Sequence, residues 1–220
     1  MDWSAFRLSA LLAILTVVVL LPVGATLART LAYSRLHGKA VLEAALALPL
    51  VLPPTVLGYY LLVVMGSRST LGGAYEQLTG HPLAFSFEGL LIASVLFNLP
   101  FAIIPMQRAF ESIPLDVRQA AKTCGMGAMR TFFAVELPLA APGILSGLVL
   151  TAAHTLGEFG VVLMVGGSIP GETKTIAIAI YDRVQAFDMH SAGVMSAVLL
   201  LTSLVALTVT SRLGRSGRTF

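Results

Sequence analysis

The sequence has 220 residues, of which 56% are hydrophobic and only 11% are charged. Soluble globular domains carry about 25% charged residues, so this composition excludes a soluble protein and favours one whose outer surface lies in lipid. The formal net charge is +3, but most basic residues are grouped beside apolar runs, which indicates membrane topology rather than a nucleic-acid partner. The single cysteine, Cys124, excludes an intrachain disulfide and a cysteine-rich metal site.

Five segments are long and apolar enough to cross a bilayer, which requires about 20 predominantly apolar residues. They cover roughly residues 8–28, 41–65, 86–106, 139–165 and 191–211. We expect the first segment to be retained rather than cleaved as a signal peptide, because only Arg7 precedes it closely, whereas Arg29, Arg35 and Lys39 follow it. It is also the plainest segment, so we expect it to lie at the periphery. The sequence predicts one all-α transmembrane domain over residues 1–220.

The distribution of Lys and Arg predicts the orientation. Ten of the 14 basic residues follow the first, third and fifth segments, which places all ten on one side of a five-helix path. Because cytoplasmic loops are enriched in Lys and Arg, we expect the N-terminus outside and the C-terminus in the cytoplasm. The ten residues are Arg29, Arg35, Lys39, Arg108, Arg118, Lys122, Arg130, Arg212, Arg215 and Arg218.

The stretch between the third and fourth segments predicts a helix–glycine–helix elbow on the cytoplasmic side. Residues 114–124 favour a short helix, and Gly125 is a residue type that ends helices. A second helical run from Met129 to Val135 leads into Pro138 and the fourth segment. Small side chains on such an elbow suit it to docking another protein.

This elbow resembles the coupling loop of permease subunits of ATP-binding-cassette (ABC) importers, whose motif is E-A-A-x3-G-x9-I-x-L-P. Val135 replaces the Ile of the motif, and Gln119 replaces its Glu, which removes a carboxylate. The resemblance implies a coupling loop over about residues 107–138 that contacts a separate ATPase subunit and includes Gln119. The residues that match at the required spacing are Ala120, Ala121, Gly125, Leu137 and Pro138.

Three other stretches are similar to the molybdate and sulfate branch of these permeases. They are Leu48–Tyr59, Leu156–Gly160 and Ile169–Ile176, the last of which reads I-P-G-E-T-K-T-I. That form favours molybdate, with sulfate or thiosulfate as the alternative. Tungstate is not distinguished from molybdate, because the two tetrahedral dianions are nearly the same size.

The resemblance also implies an architecture and a set of partners. We expect the type I importer permease fold in the inner membrane, with transport by alternating access and no catalytic residue or cofactor in this chain. The expected partners are an ABC ATPase on the cytoplasmic side, an external or periplasmic oxyanion-binding protein and a second copy of this chain.

Residues of the second and fourth segments are candidates for a gate or pathway. An ionisable residue such as Glu158 inside an apolar span is costly and usually faces a cavity or the bundle interior. A gating or structural role and an interfacial position both remain open, but direct binding of a dianion is not expected because like charges repel. The candidates are Pro53, Pro54, Gly157, Glu158 and Gly160.

Two alternatives come from other classes of protein. His154 lies four residues before Glu158 on the same helix face, so the first alternative is an intramembrane enzyme that uses this pair. With no third ligand nearby, we expect no metal site and a hydrogen-bonded interior histidine, while Asn98 is expected to bond between helices. The second alternative is a secondary transporter or channel, which would show more helices or an inverted repeat.

The loop from Gly166 to Thr175 is not an ATP site, although it is rich in glycine and contains a lysine. A P-loop needs Lys directly after its second Gly, and Glu172 takes that place here. A carboxylate at that position would repel phosphate.

Overall fold

The computed structural model describes residues 2–34 and 37–216, the last eight of them by backbone alone. Arg35 and Arg218, together with the side chains of Arg212 and Arg215, therefore lie outside the described part of the chain. Within that part the fold consists of eleven α-helices and one π-helical turn, with no strand. The helices are α1 Trp3–Tyr33, α2 Lys39–Val51, α3 Pro54–Met65, α4 Thr70–Thr79, α5 Phe87–Glu111, α6 Leu115–Thr123, α7 Ala128–Thr131, α8 Leu137–Gly157, α9 Gly160–Gly166, α10 Ile176–Gln185 and α11 Met189–Ser216, with the π turn at Phe132–Glu136.

Four continuous stretches can span a membrane by length and composition. They are α1, α5, the run from α7 through α8 (Ala128–Gly157) and residues Met189–Thr208 of α11. The helices α2 and α3 make a fifth span if the bent pair is counted as one. The predicted count of about five spans is therefore confirmed for the described residues.

The second segment is not the continuous helix that was predicted for residues 41–65. Between α2 and α3 the chain bends by 109°. Pro53 and Pro54 have no backbone N–H to continue the helical hydrogen bonds, so the first helix ends and Pro54 begins the next at a position where proline is tolerated. The fourth predicted segment, residues 139–165, is likewise divided, because α8 ends at Gly157 and α9 begins at Gly160.

The expectation that the first helix is peripheral is wrong, because α1 packs against both α5 and α8. Leu12 and Leu20 of α1 are fully buried. The hydroxyls of Thr16 and Ser94 are 2.8 Å apart. Polar groups on an otherwise plain helix thus find partners inside the bundle, as groups shielded from water must. Of the four continuous spans, α11 is the least buried, since only 11% of its most apolar 18 residues are buried.

The largest apolar core lies where the second half of α1 meets α5 and α8. It extends to Phe110 at the end of α5 and to Ile113, one residue before Pro114 and the start of α6. The elbow is therefore attached directly to the best-packed end of the bundle. The other buried members are Leu20, Ala25, Ala28, Leu31, Ala102, Ile103, Met106, Ala140 and Ile144.

Candidate functional site

The elbow has the predicted helix–glycine–helix form. Gly125 has φ +74°, a left-handed conformation that glycine adopts without steric cost. Its N–H donates to the carbonyl of Lys122 at 2.9 Å, and the N–H of Met126 donates to that of Ala121 at 3.0 Å. These bonds use carbonyls left free at the end of α6, so the reversal is fixed by backbone geometry. The second helical run begins at Ala128, one residue before the predicted Met129.

The elbow presents both motif residues and apolar side chains at its surface. Gln119, Ala120 and Gly125 are exposed, whereas Ala121 is buried against the neighbouring turn. Leu137 packs against the main core and Pro138 is exposed in the first turn of α8. Four large apolar side chains of this region are also exposed: Leu115, Val117, Met129 and Phe133. Such a surface at the end of a short helix is suited to contact with another protein.

One buried carboxylate at the elbow was missed by the sequence prediction. Glu136, the last residue of the π turn, is 1% exposed. The Nε of Arg29 in α1 donates to its Oε2, and the Nε of Arg118 in α6 donates to its Oε1 at 3.1 Å. The signal available in the sequence was a charged residue at the variable position of the coupling motif, but its partner Arg29 is 107 residues away.

The gate candidates fall into two groups. Pro54 begins α3 and Gly160 begins α9, and these two short helices pack against each other. Pro53 is exposed at the bend before α3. Gly157 is exposed at the end of α8, and a Cβ added there would meet no atom within 4 Å. The structure therefore joins Pro54 and Gly160 and leaves Gly157 apart.

Glu158 lies between α8 and α9 and is buried. Its Oε1 accepts the backbone N–H of Val161 at 3.0 Å. A carboxylate that accepts from the first turn of a helix satisfies a donor with no partner inside that helix. The carboxylate thus stabilises the backbone where the fourth span is interrupted, which supports a structural role.

His154 is a hydrogen-bonded interior histidine, as predicted. Its Nδ1 lies 3.0 Å from the Oδ1 of Asn98, and its ring stacks on Phe101 with centroids 3.9 Å apart. Asn98 Nδ2 donates to the carbonyl of Ser94, which leaves its oxygen to accept from His154. The bond joins α5 to α8 and confirms the interhelical role of Asn98. His154 Nε2 is 3.9 Å from the Oε2 of Glu158.

Comparison with known proteins places this architecture in a family. Residues 20–215 match the model of the binding-protein-dependent transport system inner membrane component. The chain belongs to this family. It is 46% identical over 206 residues to the molybdenum transport system permease protein ModB of Azotobacter vinelandii, with 94% of this chain and 91% of that protein covered. It is 30% identical over 199 residues to the sulfate transport system permease protein CysT of Salmonella typhimurium, with 87% and 70% covered.

A solved structure agrees with the family assignment. The chain superposes with a TM-score of 0.71 on a bacterial alginate ABC transporter crystallised with an alginate pentasaccharide-bound periplasmic protein. The match covers 98% of this chain and 77% of that one at 16% identity, so it establishes the fold. The predicted all-α ABC importer permease fold is thereby confirmed. The family match confirms the predicted location in the inner membrane as a multi-pass protein.

Proposed function

We propose that this chain is the permease subunit of an ATP-driven importer for molybdate. The observation that carries the substrate is the 46% identity to a ModB permease over nearly the whole chain. Tungstate is included, since it has the same charge and shape. The second candidate is sulfate or thiosulfate, which the 30% identity to a CysT permease favours.

The elbow is the proposed docking site for a separate ABC ATPase, which would hydrolyse ATP while this chain acts without catalysis or a cofactor. Its exposed residues and left-handed Gly125 give it the form of a knob at one end of the bundle. The coupling loop covers about residues 107–138 of a single permease domain. The proposed coupling residues are Gln119, Ala120, Ala121, Gly125, Leu137 and Pro138.

Charges at the elbow support the proposed orientation, with the N-terminus outside and the C-terminus in the cytoplasm. Arg29 at the end of α1 reaches Glu136 beside the elbow, and Lys39 Nζ lies 3.8 Å from the Oε1 of Glu111 at the end of α5. Basic residues from the first and third loops therefore meet at one end of the bundle. That end is cytoplasmic by the positive-inside rule.

A second copy of the chain is proposed to complete the pathway. No residue of α2 is buried, and Tyr59, Tyr60 and Val63 of α3 are exposed. These apolar surfaces can be covered by lipid or by a partner subunit. Two copies of the chain would together enclose the transport pathway. An external oxyanion-binding protein would deliver substrate at the opposite end, where loops 66–85 and 166–190 lie.

The proposed mechanism is alternating access. Closure of the ATPase pair would draw two elbows together, open the pathway outward and admit the oxyanion, and hydrolysis would reset it inward. The packed helices α3 and α9 are the proposed gate, formed around Pro54 and Gly160. The two breaks in the helices would allow α3 and α9 to move together. One break lies at Pro53, and the other lies at Gly157 and Glu158.

The geometry argues against the intramembrane enzyme. A reactive His–Glu pair needs both groups available to a substrate. His154 is held by Asn98 and stacked between Phe97 and Phe101, and Glu158 accepts a backbone N–H. Both groups are thus engaged in holding helices and helix ends.

The test is purification from membranes followed by transport. The chain should co-purify with an ABC ATPase, and vesicles containing both subunits and the binding protein should take up labelled molybdate only with ATP inside. Unlabelled tungstate should compete and sulfate should not. ATP-dependent uptake of labelled sulfate that molybdate does not inhibit would instead support sulfate as the substrate. Absence of any ATPase from an intact membrane complex would contradict the proposed function.

A further inference from the structure

Glu136 joins three separate parts of the chain. It is almost completely buried at the end of the π turn that leads into α8. Each of its carboxylate oxygens accepts from a different arginine, Arg29 of α1 and Arg118 of α6. Charge-assisted hydrogen bonds are stronger than neutral ones, and shielding from water strengthens them further.

The π turn is what directs this carboxylate inward. The N–H of Leu137 donates to the carbonyl of Phe132, five residues earlier. One extra residue in the turn shifts the following side chains around the helix axis relative to a regular α-helix. Single turns of this kind are frequent at functional sites, and here the turn separates the elbow from the span.

An aromatic ring fixes the position of Arg118 from its other side. The Arg118 guanidinium carbon lies 3.4 Å from the centroid of the Tyr33 ring, close enough for a cation–π contact. The Tyr33 hydroxyl donates to the carbonyl of Phe110 at 3.0 Å, which holds the ring against the end of α5. Arg118 thereby contacts α1 and the π turn directly, and α5 indirectly through Tyr33.

Apolar packing contributes little to the attachment of α6. Ala121 is its single buried residue, and Leu115 and Val117 are exposed. Within the described part of the chain, α6 packs mainly on α7 and the π turn. The Arg118 side chain is therefore the principal side-chain link from α6 to α1 and to the π turn that leads into α8.

We propose that Arg29, Glu136 and Arg118 form a clamp that transmits displacement of α6 to α1 and α8 together. This inference rests on the proposed function, in which an ATPase moves the elbow. Arg118 is a positioning residue in this clamp and contacts neither substrate nor nucleotide. Without it, α6 remains docked on the ATPase but no longer moves α1 and α8 together, so ATP is hydrolysed without a matching opening of the pathway.

The test uses the complete transporter in vesicles and measures molybdate uptake and ATP hydrolysis in the same sample. Arg118→Gln leaves Glu136 paired with Arg29, so the buried carboxylate keeps one partner. We expect normal recovery of the ATPase subunit and near-native hydrolysis, with uptake per ATP reduced about tenfold, the scale of one charge-assisted hydrogen bond. Arg118→Lys, which keeps the charge, should restore most of the ratio.

Lys39→Gln is the matched control. Lys39 lies at the same end of the bundle but outside residues 107–138, and it pairs with Glu43 at 3.6 Å and Glu111 at 3.8 Å. Its replacement removes ion pairs that do not involve α6, so the ratio should not change. If Arg118→Gln fails to assemble, Tyr33→Leu removes the ring beneath Arg118 and should lower the ratio less strongly.

The outcomes separate this inference from the proposed function. Equal losses of ATPase recovery, hydrolysis and uptake at an unchanged ratio would make the arginine merely structural and overturn the clamp. A native ratio in assembled Arg118→Gln would also overturn it. Absence of ATP-dependent uptake by the unaltered transporter would instead overturn the proposed function.

Discussion

Gly160 of α9 lies so close to Pro54 of α3 that a Cβ at residue 160 would stand 2.6 Å from the Cβ of Pro54. Gly58 lies one turn further along α3, and a Cβ added there would stand 2.7 Å from the Cβ of Met164 in α9. Two interrupted spans therefore meet through residues that lack a side chain. Such contacts allow helix backbones to approach closely inside a membrane.

Gly160→Ala should therefore push α3 and α9 apart and reduce molybdate uptake several-fold. The added methyl meets the ring of Pro54, which is too rigid to move aside. Uptake by vesicles at equal amounts of assembled transporter measures the effect. Gly193→Ala in α11 is the control, because a Cβ there meets no atom within 4 Å, and equal uptake by the two variants would exclude a role for the contact.

Gly125→Ala should weaken the elbow by about 1–2 kcal/mol, the cost of a left-handed conformation in a residue with a Cβ. We expect reduced recovery of the ATPase subunit on co-purification. Gly127→Ala is a close control, since a Cβ meets nothing within 4 Å at either glycine and only Gly125 has positive φ. Loss of the ATPase in both variants would show that backbone conformation is not the cause.

The Asn98–His154 bond should stabilise the contact between α5 and α8 by about 0.6–2 kcal/mol, the range for interhelical hydrogen bonds in membranes. Asn98→Leu, His154→Phe and the double variant form a cycle that isolates this energy through thermal unfolding in detergent. Each single variant leaves one buried polar group unpaired. Additive losses in the double variant would mean that the bond contributes nothing.

Glu158→Gln should retain most activity, because the amide oxygen can still accept the N–H of Val161. Glu158→Ala removes the acceptor and should destabilise the start of α9 by about 0.5–2 kcal/mol, the usual cost of a lost helix cap. Thermal stability and molybdate uptake are the measurements. A complete loss of uptake in Glu158→Gln with unchanged stability would assign the negative charge a direct role in transport.

The elbow was predictable because its determinants are local. The motif places its helical residues, Gly125 and Pro138 at fixed spacing. A glycine at the end of a helix reverses the chain locally, independently of contacts with distant residues. The number of spans was also predictable, since it depends on the length of apolar runs. Neither inference requires a partner that is distant in the sequence.

The remaining features depend on contacts between distant residues. The bend at Pro53 and the break after Gly157 lie within apolar runs that satisfy the length criterion for one continuous span. Glu136 lies two residues before Pro138 at a membrane boundary, where a charged residue is ordinarily exposed, and its partner Arg29 is remote in the sequence. The packing of α1 inside the bundle was missed because the partner of Thr16, Ser94, is 78 residues away in the sequence. A threonine in an apolar run does not by itself indicate such a partner.

The polar contacts of α1 have a consequence for biogenesis. The hydroxyl of Thr16 can bond to Ser94 only after α5 has been synthesised. The Ser9 hydroxyl accepts the N–H of Ile176 at 2.8 Å, and Ile176 is synthesised 167 positions later. A nascent α1 released into the bilayer therefore holds hydroxyls whose final partners do not yet exist. Insertion of the helix and completion of its packing are separated in time, and a ribosome that stalls before Ile176 leaves the packing of α1 unfinished.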